Sequence, residues 1–149
     1  MRRREFIGFV GGATVWPLAV RAQHLGRIPV VGILFYFANA EDAAHYRLPL
    51  LKGLAEFGYI SGKTIILEER YANEVPERFD AFAAELVNLK VDVLISPGGS
   101  PIFALHRATS TIPTVFVGVS DPVAVHLASS LSKPGGNLSG ITQMTADIL

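Results

Sequence analysis

Hydrophobic residues in this chain fall into short unbroken runs separated by segments of helical period. Residues 28–35 are β-branched and apolar on both faces, as strands buried inside a parallel sheet are. Leu48, Leu51, Leu54 and Ala55 then recur at helical spacing, with Gly58 placed for a left-handed cap. A second strand is expected over 64–68. A helix opened by 73–76 follows, with Phe79, Phe82, Ala83, Leu86 and Leu89 on its apolar face, and a third strand over 91–96. Pro97-Gly98-Gly99 turns the chain into a helix over 101–108, for which Ser100 is the expected N-cap. A fourth strand over 111–117, a helix from Pro122 to about residue 130, a Pro-Gly-Gly-Asn turn at 134–137 and a short strand over 138–141 complete the pattern.

Strands alternating with helices at this spacing imply βαβ crossovers. The expected fold is therefore α/β: a doubly wound parallel sheet with the flavodoxin-like strand order 2-1-3-4-5. The order reverses between the first and third strands, and open sheets of this kind bind ligands at the carboxyl edge beside that switch point. Three loops converge there: 36–39, 97–100 and 118–121.

Composition changes this picture little. Half of the 149 residues are hydrophobic and 17% are charged, which fits one globular domain with a real core. The net charge is zero but uneven. Beyond Ala22, nine Lys or Arg stand against twelve Asp or Glu, a net of −3 that argues against a nucleic-acid partner. Cysteine is absent, which excludes disulfides, thiolate metal sites and a cysteine nucleophile.

The first residues read as an address. Arg2, Arg3 and Arg4 form a basic start, an apolar stretch to about Val20 is too short to span a bilayer, and Val20-Arg21-Ala22 suits cleavage before Gln23. Arg3-Arg4-Glu5-Phe6-Ile7 resembles the twin-arginine export motif, with Arg2 and Gly8 departing from the usual flanking residues. The expected organisation is an export signal over 1–22, an α/β lobe over 23–141 and the stub of a hinge or second lobe over 142–149.

The chemistry tested against these loops is mostly excluded. Residues 97–101 lack the lysine of a phosphate-binding P-loop, and 37–39 lack the glycines of a dinucleotide fingerprint. His24, His45, His106 and His126 have no metal-ligand spacing, and Ser96, Ser100 and Ser120 have no nucleophile elbow. No enzyme, metal or cofactor is expected; the alternatives are an exported α/β enzyme or interaction domain using the same strand-end edge, or a non-functional fragment. The loops instead offer aromatic rings, small residues, hydroxyls and one carboxylate, a set suited to a small zwitterion. The candidate ligand-binding residues are Phe37, Ala38, Asn39, Gly98, Gly99, Ser100, Ser120 and Asp121, with Ser100 and backbone N–H groups facing a carboxylate and Asp121 an ammonium. A structural reading stands beside this one: Gly98-Gly99 as a tight turn and Asp121 as a helix cap. Of Phe35 and Phe37, one is expected in the core and the other at the pocket.

Several stretches resemble the substrate-binding proteins of bacterial ABC transporters, in the family related to tryptophan- and tyrosine-type binding proteins. They include Val31-Gly32-Ile33-Leu34, Leu54-Ala55-Glu56-Phe57-Gly58-Tyr59, Ala108-Thr109-Ser110-Thr111-Ile112-Pro113, Asp121-Pro122-Val123 and Lys133-Pro134-Gly135-Gly136-Asn137. The resemblance implies the first lobe of a type I periplasmic binding protein, whose two lobes close on a ligand between them. It implies periplasmic capture of a small, amino-acid-like solute and delivery to a membrane permease. It covers the first lobe and the first hinge crossing, so a missing second half is also expected, this chain being a fragment or a truncated copy.

Overall fold

The computed structural model describes residues 26–143; the export signal expected over 1–22 and most of the stub expected over 142–149 lie outside them. Five strands, β1 (Val30–Phe35), β2 (Ile66–Tyr71), β3 (Val93–Pro97), β4 (Thr114–Val119) and β5 (Leu138–Thr142), form one sheet in the order β2-β1-β3-β4-β5. Every pairing is parallel. Three helices connect them: α1 (Ala44–Glu56), α2 (Pro76–Asn88) and α3 (Pro101–Ala108).

The sheet is held from both sides. On one face Leu34 and Leu94 pack with Phe79, Ala83 and Leu86 of α2 and with Ala104 and Leu105 of α3. On the other face Val31, Ile33, Phe35 and Ile95 pack with Ala43 and with Leu50 of α1. A third cluster joins Ile102, Phe116, Val119, Leu127 and Leu138. Phe116 and Val119 share it because β4 carries a register shift between Val117 and Val119, at Gly118, whose φ of 85° suits glycine. The first turn of α2 carries Pro76 and Glu77, both favourable at a helix N-terminus.

Several boundaries and contacts differ from the hydrophobic pattern. β1 to β4 start two or three residues later than expected, because apolar lead-in residues such as Val91 and Ile112 pack on the core before the ladder begins. β2 runs on through Glu68, Glu69 and Arg70, whose charges are paired: Arg47 donates to both Glu69 oxygens at 2.7 and 3.0 Å, and Arg70 reaches Glu68 and Glu85. Helix α1 buries none of its residues completely. Leu48 is 60% exposed, and Leu50 rather than Leu48 meets the sheet.

The helix expected from Pro122 is instead a succession of turns over 122–126. The N–H groups of Leu127 and Ala128 both return to the Pro122 carbonyl, at 2.8 and 3.0 Å, and His126 adopts a left-handed φ of 59°. Burying Leu127 in the third cluster closes this segment before a regular helix can propagate.

Candidate functional site

The carboxyl ends of β1 and β3 lie side by side, and the sequence beyond each end builds the site. β1 ends with Phe35, fully buried and stacked on Tyr71 with centroids 4.9 Å apart. Phe37, two residues on, is half-buried and meets His45 edge-on at 5.0 Å and Tyr46 at 5.9 Å. The backbone behind these rings is tied down by the segment following β2. Asn73 N–H donates to the Phe37 carbonyl at 2.9 Å and Glu74 N–H to the Tyr36 carbonyl at 2.8 Å. Asn73 and Glu74 both hold left-handed φ values, 53° and 60°, so this strap carries strain beside the site.

After β3 the chain turns at Gly98, with φ of 90°, and its N–H donates to the Val117 carbonyl at 2.9 Å. That bond locks the turn to β4. Ser100 is already helical in backbone, and its hydroxyl makes no capping bond, contrary to the expected N-cap. Pro101 has no N–H, so the missing cap leaves one orphan donor fewer than a helix start usually has.

Phe37, Gly98, Gly99 and Ser100 come together around a cavity of about 280 Å³, joined by Tyr36 and Tyr46. Its lining contains no charged side chain. Ala38, Asn39, Ser120 and Asp121 lie exposed on the neighbouring strand-end loops and do not line it. Asn39 is engaged locally: its Oδ1 accepts the Glu41 and Asp42 N–H groups at 2.9 and 3.0 Å, which starts the turn leading into α1. Asp121 Oδ1 accepts the Val123 and Ala124 N–H groups at 3.1 and 2.9 Å, the bonding of a cap on a segment of turns.

Tyr46 and His45 were not among the residues expected from sequence. The signal was available, since the first turn of a helix that follows β1 sits at the same sheet edge. Below the rings, the Arg47–Glu69 pair holds Arg47 more firmly protonated than usual, chiefly through its hydrogen bond to Glu69. Burial raises the Tyr71 phenol above its ordinary range, and Tyr71 Oη is buried without a hydrogen-bond partner among the described residues. A larger cavity of about 350 Å³, lined by His106, His126 and Asn137 among others, opens near the start of β5 and the end of α3. It lies at the amino edge of the strands, away from the switch point. Among the described residues no three His, Asp or Glu side chains group as metal ligands, and no helix is long and apolar enough to cross a membrane.

The comparisons with known proteins agree with this fold. The family model for ABC transporter substrate binding protein matches residues 39–147. A tyrosine-binding protein of Clostridioides difficile is 33% identical over 90 residues, covering 60% of this chain and 26% of that protein. A conserved domain protein of Vibrio cholerae has a solved structure that is 30% identical, with a TM-score of 0.74. The ligand-free, open structure of a substrate-binding protein with adhesive properties from Clostridium difficile is 26% identical, with a TM-score of 0.75. Each of these two alignments covers 80% of this chain and 40% of the other. An ABC domain from Streptococcus pneumoniae in complex with L-Trp shares the fold at 22% identity and a TM-score of 0.72. The chain thus spans about a quarter of the curated relative and 40% of these solved chains. With a five-stranded parallel sheet of the same build and a family match over most of its length, the chain belongs to the ABC transporter substrate binding protein family.

Proposed function

We propose that this chain is the extracytoplasmic solute-binding component of an ABC transporter, capturing a small amino-acid-like molecule for a membrane permease. The observation that carries the reading is the uncharged, aromatic-walled cavity at the switch point, formed by Phe37, Tyr46 and the 98–100 turn. Aromatic walls suit a solute with a planar or apolar part, and backbone N–H groups at the start of α3 suit its carboxylate. Two relatives bear names that speak of tyrosine and L-Trp, which supports an aromatic amino acid as the first solute to try. In this reading the lobe supplies one wall of a cleft, and the facing wall comes from a second lobe of the kind the longer relatives have room for. The basic and apolar pattern over 1–22 supports export to the periplasm with cleavage near Ala22. Ala38, Asn39, Ser120 and Asp121 belong to the rim of the proposed cleft.

Thermal melts of the purified chain with L-tryptophan, L-tyrosine, a non-aromatic amino acid and a sugar test the proposal. The aromatic amino acids are expected to raise the melting temperature, and Phe37→Ala is expected to abolish that rise. A rise with the sugar alone, or with none of the four, contradicts it.

A further inference from the structure

The left-handed Gly118 at the end of β4 leaves a gap, and two polar side chains from separate elements converge on it. A Cβ placed on Gly118 would lie 3.6 Å from Gln143 Oε1 and 3.8 Å from Tyr46 Oη. Tyr46 comes from the first turn of α1 and also lines the strand-end cavity. Gln143 directly follows β5, and its N–H donates to the Val119 carbonyl at 3.3 Å, which fixes its backbone beside the bulge. Among the described residues neither the Tyr46 hydroxyl nor the exposed Gln143 amide makes a side-chain hydrogen bond, and of the two Tyr46 lines the cavity. Two elements therefore deliver unspent hydrogen-bonding capacity to one point, and the missing side chain at position 118 keeps that point open.

We propose that Tyr46 and Gln143 are specificity-determining residues that read a neutral hydrogen-bonding substituent on the planar part of the solute, such as a phenolic hydroxyl. The assignment rests on the solute-carrier reading above. A hydroxyl and a carboxamide can each donate and accept, so together they satisfy a neutral group with both functions. They offer no charge to an ammonium or a carboxylate, and the cavity lining holds no charged side chain. A solute lacking the substituent leaves both groups unpaired as water is displaced, which is how a polar subsite rejects an otherwise identical molecule.

The test compares L-tyrosine with L-phenylalanine, which differ by that hydroxyl. Competitive saturation-transfer NMR on the full chain measures their affinity ratio in the wild type, in Tyr46→Phe and in Gln143→Ala. Tyr46→Phe keeps the ring, and Gln143 is exposed; far-ultraviolet circular dichroism checks that both variants fold. The wild type is expected to prefer tyrosine by about three- to tenfold, the worth of one net hydrogen bond. Each variant is expected to bring the ratio close to one while keeping its affinity for phenylalanine. A ratio unchanged by the variants overturns the assignment, as does an equal loss for both amino acids, which would place the pair on the solute's head group. Equal wild-type affinities for the two overturn the assignment and leave the carrier reading standing. Binding of neither amino acid takes both down.

Discussion

At the scale of single residues, Gly140 and Tyr71 show most directly how packing constrains this sequence. A Cβ on Gly140 would collide with the Phe116 carbonyl oxygen and ring, and backbone cannot yield as a flexible side chain can. Gly140→Ala is therefore expected to lower stability by about 1–3 kcal/mol, or to loosen β5 from β4, as measured by denaturant melts and amide exchange. Gly99 has open space at the same test position, so Gly99→Ala serves as the control. Tyr71 presents the opposite case: its ring is well stacked on Phe35, while its buried hydroxyl has no partner among the described residues. Tyr71→Phe keeps the ring and removes the orphan, so it is expected to be neutral or stabilising by up to about 1 kcal/mol. Burial raises the phenol's pKa, so the folded state favours the neutral form. The Tyr71 contribution is intact below about pH 10 and is lost as pH rises through the raised folded value. Stability curves of the variant should consequently fall less steeply in alkali than those of the wild type.

At the scale of elements, the hydrophobic pattern made the strands legible because each is buried on at least one face by β-branched or leucine side chains. The strand order expected from the alternation of strands and helices agrees with the observed order. Helix α1 was legible as a helix, ending in a Schellman cap in which the Tyr59 N–H reaches the Leu54 carbonyl at 2.9 Å, but its buried face was not. Pro49 inside it removes one helical donor, and of the expected stripe Leu51 and Leu54 are half-buried while Leu48 and Ala55 are exposed, with Leu50 packed on the sheet cluster. The segment after Asp121 misled differently. Pro122 and a cap residue are true start signals, yet tertiary burial of Leu127 overrode them. Asp121 still performs the capping half of its expected role. Asp121→Ala is expected to cost about 1 kcal/mol in thermal or chemical denaturation, whereas Asp121→Asn, which keeps an acceptor oxygen, should cost far less.

The whole molecule is asymmetric. Helices α2 and α3 cover one face of the sheet, while α1 covers the β1 side of the other. On that second face Val117 and its register partner Ile141 continue the apolar surface across β4 and β5, and Ile141 is 65% exposed. Chain direction and turn glycines made the site's location readable, since both follow from the order of elements. Its walls were less so: Tyr46 reaches the cavity through the placement of α1, and Asn39 is turned to a local cap by hydrogen bonds no spacing rule announces. The proposed solute site is the strand-end cavity formed by Phe37, Tyr46 and Ser100. Chemical-shift mapping of the ¹⁵N-labelled chain during titration with an aromatic amino acid locates binding residue by residue. Saturable shifts are expected to cluster at residues 36–37, 46 and 98–100. Shifts confined to the cavity bearing His106 and His126, or none across the titration, would contradict the claim.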